Sequence, residues 1–309
     1  MKRKLVHTEI MPIDKPLWEP SQARIAGAHV TAFARAAIRD WGLGFNTYPE
    51  FYQWSVDQPE QFWQSLWQYT AVKARTRSER VLVHGERMPG ARWFPDARLN
   101  FAENLLRRRD RADAMVFWGE DKVERRLSHA QLYAGVSRLA QALRAAGVQP
   151  GDRVAAYMPN LPETMMAMLA SASIGAIWSS CSPDFGVQGV LDRFGQIEPK
   201  VLFAADGYWY NGKAIDSLAK VADIARRLPT IERVVVVSYL ADSADVSGVP
   251  NAERMADFIA PYAGRDIEFA QLPFDHPLYI LYSSGTTGVP KCIVHGVGGT
   301  LLQHLKEHQ

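Results

Sequence analysis

Short apolar runs alternate with longer helical patterns through the second half of the chain, and this alternation constrains the fold more than any other feature. The apolar runs lie at residues 153–158, 176–180, 201–204 and 234–237. Helical periodicity fills the intervals, at residues 163–175, 187–197 and 214–227. Strands that are apolar on both faces are typical of mostly parallel sheets covered by helices on both sides. The pattern therefore predicts an α/β fold of that kind.

The start of the chain has a different composition. Six of the nine tryptophans fall within residues 1–105, and residues 61–69 place aromatic and aliphatic side chains at helical spacing. Tryptophans at such spacing normally form packed cores. We therefore expect a largely helical, Trp-rich cap over residues 1–105, followed by an α/β domain over residues 106–309. At the start of the α/β part, Ser128 and Gln131 have the spacing of a helix capping box.

Composition favours no nucleic acid or membrane as a partner. The 309 residues carry a net charge of +2, which creates no strong field for either. Residues 164–183 are uncharged and long enough to span a bilayer, but their serines favour a buried helix and strand. The two cysteines, Cys181 and Cys292, are too few for a disulfide framework and predict a reducing, cytoplasmic location.

The chemistry is concentrated in residues 282–291, with the sequence YSSGTTGVPK, which follow the apolar run 278–281. Backbone N–H groups of a Gly-rich turn can converge on an anion, while hydroxyls and a lysine add donors and charge. The common P-loop pattern is not matched, because Cys292 stands where its magnesium-binding hydroxyl would fall. The segment predicts a site for nucleotide phosphates. Its candidate binding residues are Ser283, Ser284, Gly285, Thr286, Thr287, Gly288 and Lys291.

These ten residues resemble the phosphate-loop signature of the adenylate-forming superfamily, Tyr/Leu–Ser/Thr–Ser–Gly–Ser/Thr–Thr–Gly–x–Pro–Lys. The resemblance implies ATP-dependent activation of a carboxylic acid, with Mg²⁺ bridging the phosphates, on the large domain of an adenylate-forming enzyme. It also implies that residues 283–288 hold the β- and γ-phosphates and that Thr287 and Lys291 act in catalysis. No protein ligand for a metal is predicted.

Within this superfamily, residues 191–200, 208–213 and 291–308 resemble the acetoacetyl-CoA synthetase branch, in which cysteine follows the signature lysine, as Cys292 does here. The implied substrates are acetoacetate, ATP and CoA. Two alternatives stay open: another short-chain ligase, such as one acting on acetate, or a non-catalytic nucleotide-binding fragment. Because members of the superfamily are longer, we expect the domain to be incomplete at its C-terminal end, inactive alone and poorly soluble. The sequence does not indicate the oligomeric state.

Three weaker patterns carry further expectations. Lys213 is expected to open the helix 214–227, where it could contact a phosphate of CoA. Residues 304–308 match H-x-x-E-H, but without a third ligand an exposed helix is the better interpretation than a zinc site. Residues 296–299 are expected to form a flexible turn before the last helix.

Overall fold

The computed structural model describes residues 16–283 and 288–308. They belong to two compact units that divide between Thr70 and Ala71. The domain boundary expected at residue 105 remains a prediction. For the uncharged residues 164–183, the sequence favours a buried helix and strand over a membrane span. Within the described ranges, no helix combines the length and apolar character needed to cross a bilayer.

The first unit consists of helices packed through aromatic side chains. The helices are α1 (Gln22–Ala26), α2 (His29–Trp41), α3 (Tyr48–Asp57) and α4 (Pro59–Tyr69). The ring of Phe33 meets the rings of Phe62 and Tyr69 edge-on, with centroids 5.8 and 5.3 Å apart. Trp54 and Trp67 are buried. The aromatic spacing of the sequence therefore marks a packed helical core, as predicted.

The second unit contains the remaining elements. The first of these are β1 (Ala74–Thr76), β2 (Leu82–Val83), β3 (Arg92–Trp93), β4 (Arg98–Leu99), α5 (Phe101–Leu105), β5 (Asp113–Gly119), β6 (Val123–Ser128) and α6 (His129–Ala145). Next come β7 (Arg153–Tyr157), α7 (Pro162–Ile174), β8 (Ile177–Cys181), α8 (Val187–Ile197), β9 (Val201–Ala205), β10 (Gly207–Tyr210), β11 (Lys213–Asp216) and α9 (Leu218–Arg227). The last are β12 (Arg233–Val237), β13 (Ala252–Arg254), α10 (Met255–Ile259), β14 (Leu272–Pro273), β15 (Pro277–Tyr282), β16 (Cys292–Gly296) and α11 (Val297–His308).

A seven-stranded sheet forms the centre of this unit, in the order β13-β12-β9-β7-β8-β15-β16. All neighbouring pairs are parallel except the last, in which β15 and β16 run antiparallel. The apolar runs of the sequence correspond to β7, β8, β9, β12 and β15. The predicted mostly parallel sheet is thus confirmed.

Helices cover both faces of the sheet. On one face, Val190 and Phe194 of α8 and Ile224 of α9 pack against alternate strand residues such as Leu202 and Val234. The residues between them in each strand are buried on the opposite face, where α7 packs against β8 and α6. Each fully buried aliphatic or aromatic side chain contributes about 1.5–3 kcal/mol, so burial on both faces explains why these strands are continuously apolar.

The predicted strand at residues 114–118 is β5, but it lies outside the main sheet. It pairs antiparallel with β6 in a separate two-stranded hairpin. Alternate residues such as Val116 and Trp118 are exposed, unlike those of the parallel strands. At the end of β6 the predicted capping box is present: the Ser128 hydroxyl accepts from Gln131 N–H at 3.2 Å and the Gln131 amide oxygen accepts from Ser128 N–H at 2.8 Å.

The helix expected over residues 214–227 was predicted too long. Residues Lys213–Asp216 form strand β11, which pairs antiparallel with β10, and α9 begins only at Leu218. Asn211 and Gly212 join the two strands with φ values of 50° and 72°. An Asn-Gly pair with positive φ at both residues is the preferred two-residue hairpin turn, and this signal was missed.

The expected flexible turn at residues 296–299 is also wrong. Helix α11 begins at Val297, so Gly298 and Gly299 lie in its first turn. Gly298 is buried against the ring of Phe274, and its N–H donates to the carbonyl of Phe274 at 2.8 Å. Here glycine permits a close helix contact rather than backbone mobility.

Candidate phosphate-binding site

The loop 283–291 leaves the sheet at the carboxyl end of β15. Because β15 runs parallel to β8, the loop begins at the edge where the carboxyl ends of the parallel strands lie. Ligands of α/β sheets bind at this edge. From β7 the chain continues to β8 on one side of the sheet, whereas from β9 it continues to β12 on the other side, so the topological switch point lies between β7 and β9. The loop follows β15, which is separated from that switch point by β7 and β8.

The ends of this loop are tied to each other. The N–H of Ser283 donates to the carbonyl of Lys291 at 3.0 Å, and the N–H of Lys291 donates to the Ser283 hydroxyl at 3.1 Å. Two predicted site residues that are eight positions apart are thereby brought together. The Ser283 hydroxyl retains its own proton, so it can still donate to a bound anion.

The other predicted loop residues divide into two groups. Gly288 has φ +99°, a conformation that favours glycine. Ser284, Gly285, Thr286 and Thr287 lie outside the described residues. Their predicted contacts to phosphate remain predictions.

The Lys291 ammonium group places a positive charge at the end of the loop. Lys291 is exposed. In the described parts of the chain, lysine ion pairs involve Lys122, Lys200 and Lys306, and Lys291 has no carboxylate partner. An ammonium group on an exposed side chain at the mouth of a loop is available to neutralise a polyanion.

Two buried acids behind the loop, Tyr282 and Cys181, are neutral. The Tyr282 hydroxyl lies 3.0 Å from the Ser179 hydroxyl, which donates to the carbonyl of Ile280 at 2.9 Å. Burial raises the pKa of Tyr282, and burial raises the pKa of the Cys181 thiol to about 12. Neither group carries charge near neutral pH, whereas the guanidinium of Arg193 in α8 lies 5.7 Å from the centre of the Tyr282 ring, so Lys291 and Arg193 both place positive charge near the loop.

An apolar cleft of about 590 Å³ opens on the sheet face opposite α8. Trp178 of β8 and Tyr279 and Leu281 of β15 form its floor, and Met165 and Met168 of α7 line one side. Leu281 lies two residues before Ser283, the first residue of the loop. The cleft therefore offers an apolar surface next to the candidate phosphate site.

Lys213 does not have the surroundings that were expected. It lies in β11 opposite Tyr210, and α9 begins only at Leu218, so Lys213 does not open that helix. The turn amides beside it are already bonded, because the Glu120 carboxylate accepts from the N–H groups of Asn211 and Gly212 at 2.6 and 2.7 Å. A carboxylate at this turn opposes phosphate binding, and the CoA contact of Lys213 stays a prediction without the helix terminus that motivated it.

The two histidines of the H-x-x-E-H match lie in α11. The rings of His304 and His308 are 6.0 Å apart, and the ring of Phe101 packs against His304 at 5.7 Å. Burial, and then the proximity of His308, lower the pKa of His304. Across residues 16–283 and 288–308, no group of three or more His, Cys, Asp and Glu side chains could hold a metal ion.

Models of known protein families match both the beginning and the larger second part of the chain. A sequence model described as "AMP-binding enzyme" matches residues 101–308, and one described as "Acetyl-coenzyme A synthetase N-terminus" matches residues 48–105. The chain belongs to the AMP-binding enzyme family. The loop 283–291 and the seven-stranded sheet both lie within the first match.

Several acetoacetyl-CoA synthetases resemble this member of the family. The enzyme of Rhizobium meliloti (strain 1021) is 54% identical over 302 residues, covering 97% of this chain and 46% of the relative. The enzyme of Gallus gallus is 42% identical over 300 residues, covering 94% and 45%. The solved structure of acetoacetyl-CoA synthetase from Streptomyces lividans has a TM-score of 0.89 at 43% identity, covering 95% and 45%. The chain thus spans less than half the length of these relatives.

Proposed function

We propose that this chain is the N-terminal, triphosphate-binding part of an ATP-dependent acetoacetate–CoA ligase. The observation that carries the proposal is the loop 283–291, with the signature sequence, at the carboxyl end of β15 and with Lys291 exposed and unpaired among the described side chains. The identity to acetoacetyl-CoA synthetases supports acetoacetate as the acid.

The proposed reaction has two steps. A carboxylate oxygen of acetoacetate attacks the α-phosphorus of ATP, the bond from that phosphorus to the bridging oxygen breaks, and pyrophosphate leaves. The thiolate of CoA then attacks the acyl carbon of the adenylate, and AMP leaves. A carboxylate is a weak nucleophile towards a polyanion, so rate acceleration depends on placing and neutralising the phosphates.

The residues of the loop supply that placement. Hydroxyl and N–H donors of residues 283–288 would hold the β- and γ-phosphates, with Thr287 among the donors near the reacting phosphate. The ammonium of Lys291 would offset the negative charge that moves onto the leaving pyrophosphate. Donors fixed before the reaction stabilise such charge without reorganisation, and the Ser283–Lys291 bonds fix both ends of the loop.

Two further substrates or ions belong to the proposal. Mg²⁺ enters as Mg·ATP, in which the ion neutralises phosphate oxygens, and we assign it no ligand among the described residues. CoA is the acyl acceptor, with Lys213 as a proposed contact to its phosphate. Cys181 and Cys292 are both free thiols, which supports a reducing, cytoplasmic location.

The test is acetoacetate-dependent exchange of pyrophosphate into ATP by a protein of the relatives' length that contains these residues. We expect exchange with acetoacetate to exceed exchange with acetate. We expect Lys291→Ala to lower the rate by about 10²-fold or more, the scale of losing one electrostatic contact to a transition state. Lys306→Ala is the matched control, because Lys306 is also exposed to solvent and, among the described side chains, pairs with its neighbour Glu307.

The outcomes separate the alternatives. Exchange that is faster with acetate would assign the chain to a different short-chain ligase. Nucleotide binding without exchange would identify a non-catalytic nucleotide-binding protein. Unchanged turnover in Lys291→Ala would contradict the role of this lysine. Residues 1–309 alone are expected to form no acetoacetate-dependent AMP.

A further inference from the structure

The side chain of Gln196 in helix α8 contacts the residues on either side of Lys291. Its amide nitrogen donates to the carbonyl of Pro290 at 2.8 Å, and its amide oxygen lies 3.6 Å from the sulfur of Cys292. The same nitrogen donates to the carbonyl of Asp192, one turn earlier in α8, at 2.6 Å. The orientation of the amide is determined, because both carbonyls can only accept.

The two loop contacts flank the proposed catalytic lysine. Pro290 immediately precedes Lys291 and Cys292 immediately follows it. Pro290 is buried, and Cys292 packs against the core that α8 forms with the sheet. Together with the bonds from Ser283, these contacts fix the backbone of Lys291 on each side and leave its side chain in solvent.

We propose that Gln196 is a positioning residue for phosphate binding: its amide joins Pro290 and Cys292 to α8 and so sets the direction in which Lys291 leaves the loop. The proposal deepens the proposed function and rests on it for the identity of the anion. Gln196 itself touches no phosphate. Without it, Lys291 keeps its charge but samples more positions, which weakens binding of a polyanion at a defined place.

The chain itself provides a reporter of this contact. Cys292 is partly exposed, whereas Cys181 is buried and its pKa is raised to about 12 by burial. Iodoacetamide reacts with thiolates, so it modifies Cys292 selectively and Cys181 serves as an internal reference. Peptide mass spectrometry gives the alkylation rate of each cysteine in the 309-residue chain.

The informative variant is Gln196→Met, which keeps the length of the side chain and removes both contacts. We expect the alkylation rate of Cys292 to rise about two- to tenfold, the factor that corresponds to losing a net hydrogen bond. Gln188→Met is the matched control: Gln188 lies on the same helix, and among the described residues its side chain bonds those of Asp192 and Arg227. Because Gln196 is exposed, both variants should retain the wild-type melting temperature.

The second readout uses Mg·tripolyphosphate as the probe, which we expect to slow alkylation of wild-type Cys292. The concentration giving half-protection should rise in Gln196→Met and not in Gln188→Met, at equal melting temperature. A purely structural role for Gln196 would not shift this concentration. Gln196→Ala gives the same test if the methionine variant is unstable.

The possible failures are distinguishable. If alkylation and half-protection in Gln196→Met equal the wild-type values, the positioning role is overturned. If tripolyphosphate fails to protect wild-type Cys292, the proposed phosphate site is contradicted. A raised alkylation rate in Gln196→Met would then still show that Gln196 holds the loop to α8.

Discussion

Two adjacent glycines in the first turn of α11 have opposite surroundings. A Cβ added to Gly298 would lie 2.1 Å from a carbon of the Phe274 ring, whereas a Cβ added to Gly299 would meet no atom of the described residues within 4 Å. We expect Gly298→Ala to lower the free energy of unfolding by about 1–3 kcal/mol through overpacking. Gly299→Ala should raise it by about 0.5–1 kcal/mol through helix propensity. Urea denaturation measures both, and effects of the same sign would contradict the described packing.

The roles of individual residues could be predicted from the sequence where their partners are close to them in the chain. The Ser128–Gln131 capping box and the loop 283–291 were both predicted, because each depends on spacing of a few residues. Gln196 and Ser179 were missed as supports of the loop. Their partners are 94 and 103 residues away in the chain, so no local pattern indicates them.

Among the elements, the hairpin of β5 and β6 is joined to α7 by one partly buried ion pair. Both terminal nitrogens of Arg125 donate to the Glu163 carboxylate, at 2.6 and 2.9 Å. The neighbouring pair of Arg126 and Asp113 lies within the hairpin and is more exposed. The Arg125–Glu163 pair links the hairpin to a separate helix, whereas the Arg126–Asp113 pair joins only the two strands of the hairpin.

The two ion pairs should therefore differ in the coupling energy between their side chains. In double-mutant cycles with Arg125→Met and Glu163→Gln, we expect a coupling energy of about 1–3 kcal/mol, as for charge-assisted, bidentate contacts with little solvent. The cycle with Arg126→Met and Asp113→Asn should give about 0.2–1 kcal/mol, typical of exposed pairs. Chemical denaturation supplies the energies. A larger coupling for the exposed pair would show that the hairpin is not held to α7 through Arg125.

The boundaries of elements were predictable where the signal is local. The helices over 163–174 and 187–197 agree with the periodicity, and Gly175 ends the first with φ +84°. The strand β11 was missed because apolar residues at 214–215 suit a helix or a strand, and only the Asn-Gly turn before them decides. The separate hairpin of β5 and β6 could not be predicted, because pairing with the main sheet and pairing with β6 require the same strand pattern.

For the whole molecule, several buried acids are held in their neutral forms. Burial raises the pKa of Cys181 and the pKa of Tyr157 to about 12 each, and it also raises the pKa of Tyr282. In the unfolded chain these groups lose protons at lower pH, so high pH stabilises the unfolded state. The neutral Cys181 thiol contributes to the free energy of unfolding. This contribution is fully present below pH 9, the usual pKa of a thiol, and is lost as the pH rises towards 12.

We therefore expect the free energy of unfolding to fall by up to about 1.4 kcal/mol per pH unit for each such group above its unfolded pKa. Cys181→Ala should be less stable at pH 8 because of a cavity, yet its stability should fall less steeply between pH 9 and pH 11. Urea titrations at several pH values measure this, and identical slopes for wild type and Cys181→Ala would contradict the burial of this thiol.

Fold class is the property of the whole molecule that the sequence predicts best, since apolar strands alternating with helices have few other solutions. The order of the strands was not predictable. Each parallel strand is equally apolar, and the crossover connections decide which strands become neighbours. The position of the loop beside β8, away from the switch point between β7 and β9, is likewise a consequence of that order.

Affinity labelling with an acyl-phosphate derivative of ATP tests whether the loop 283–291 binds the triphosphate of ATP. The amine of a lysine beside the γ-phosphate attacks the acyl carbon, forms an amide and releases ATP, and mass spectrometry identifies the lysine. We predict that Lys291 is labelled faster than the exposed Lys306 and that excess Mg·ATP suppresses its labelling. Labelling of Lys291 that is no faster than that of Lys306 and is unaffected by Mg·ATP would contradict the account.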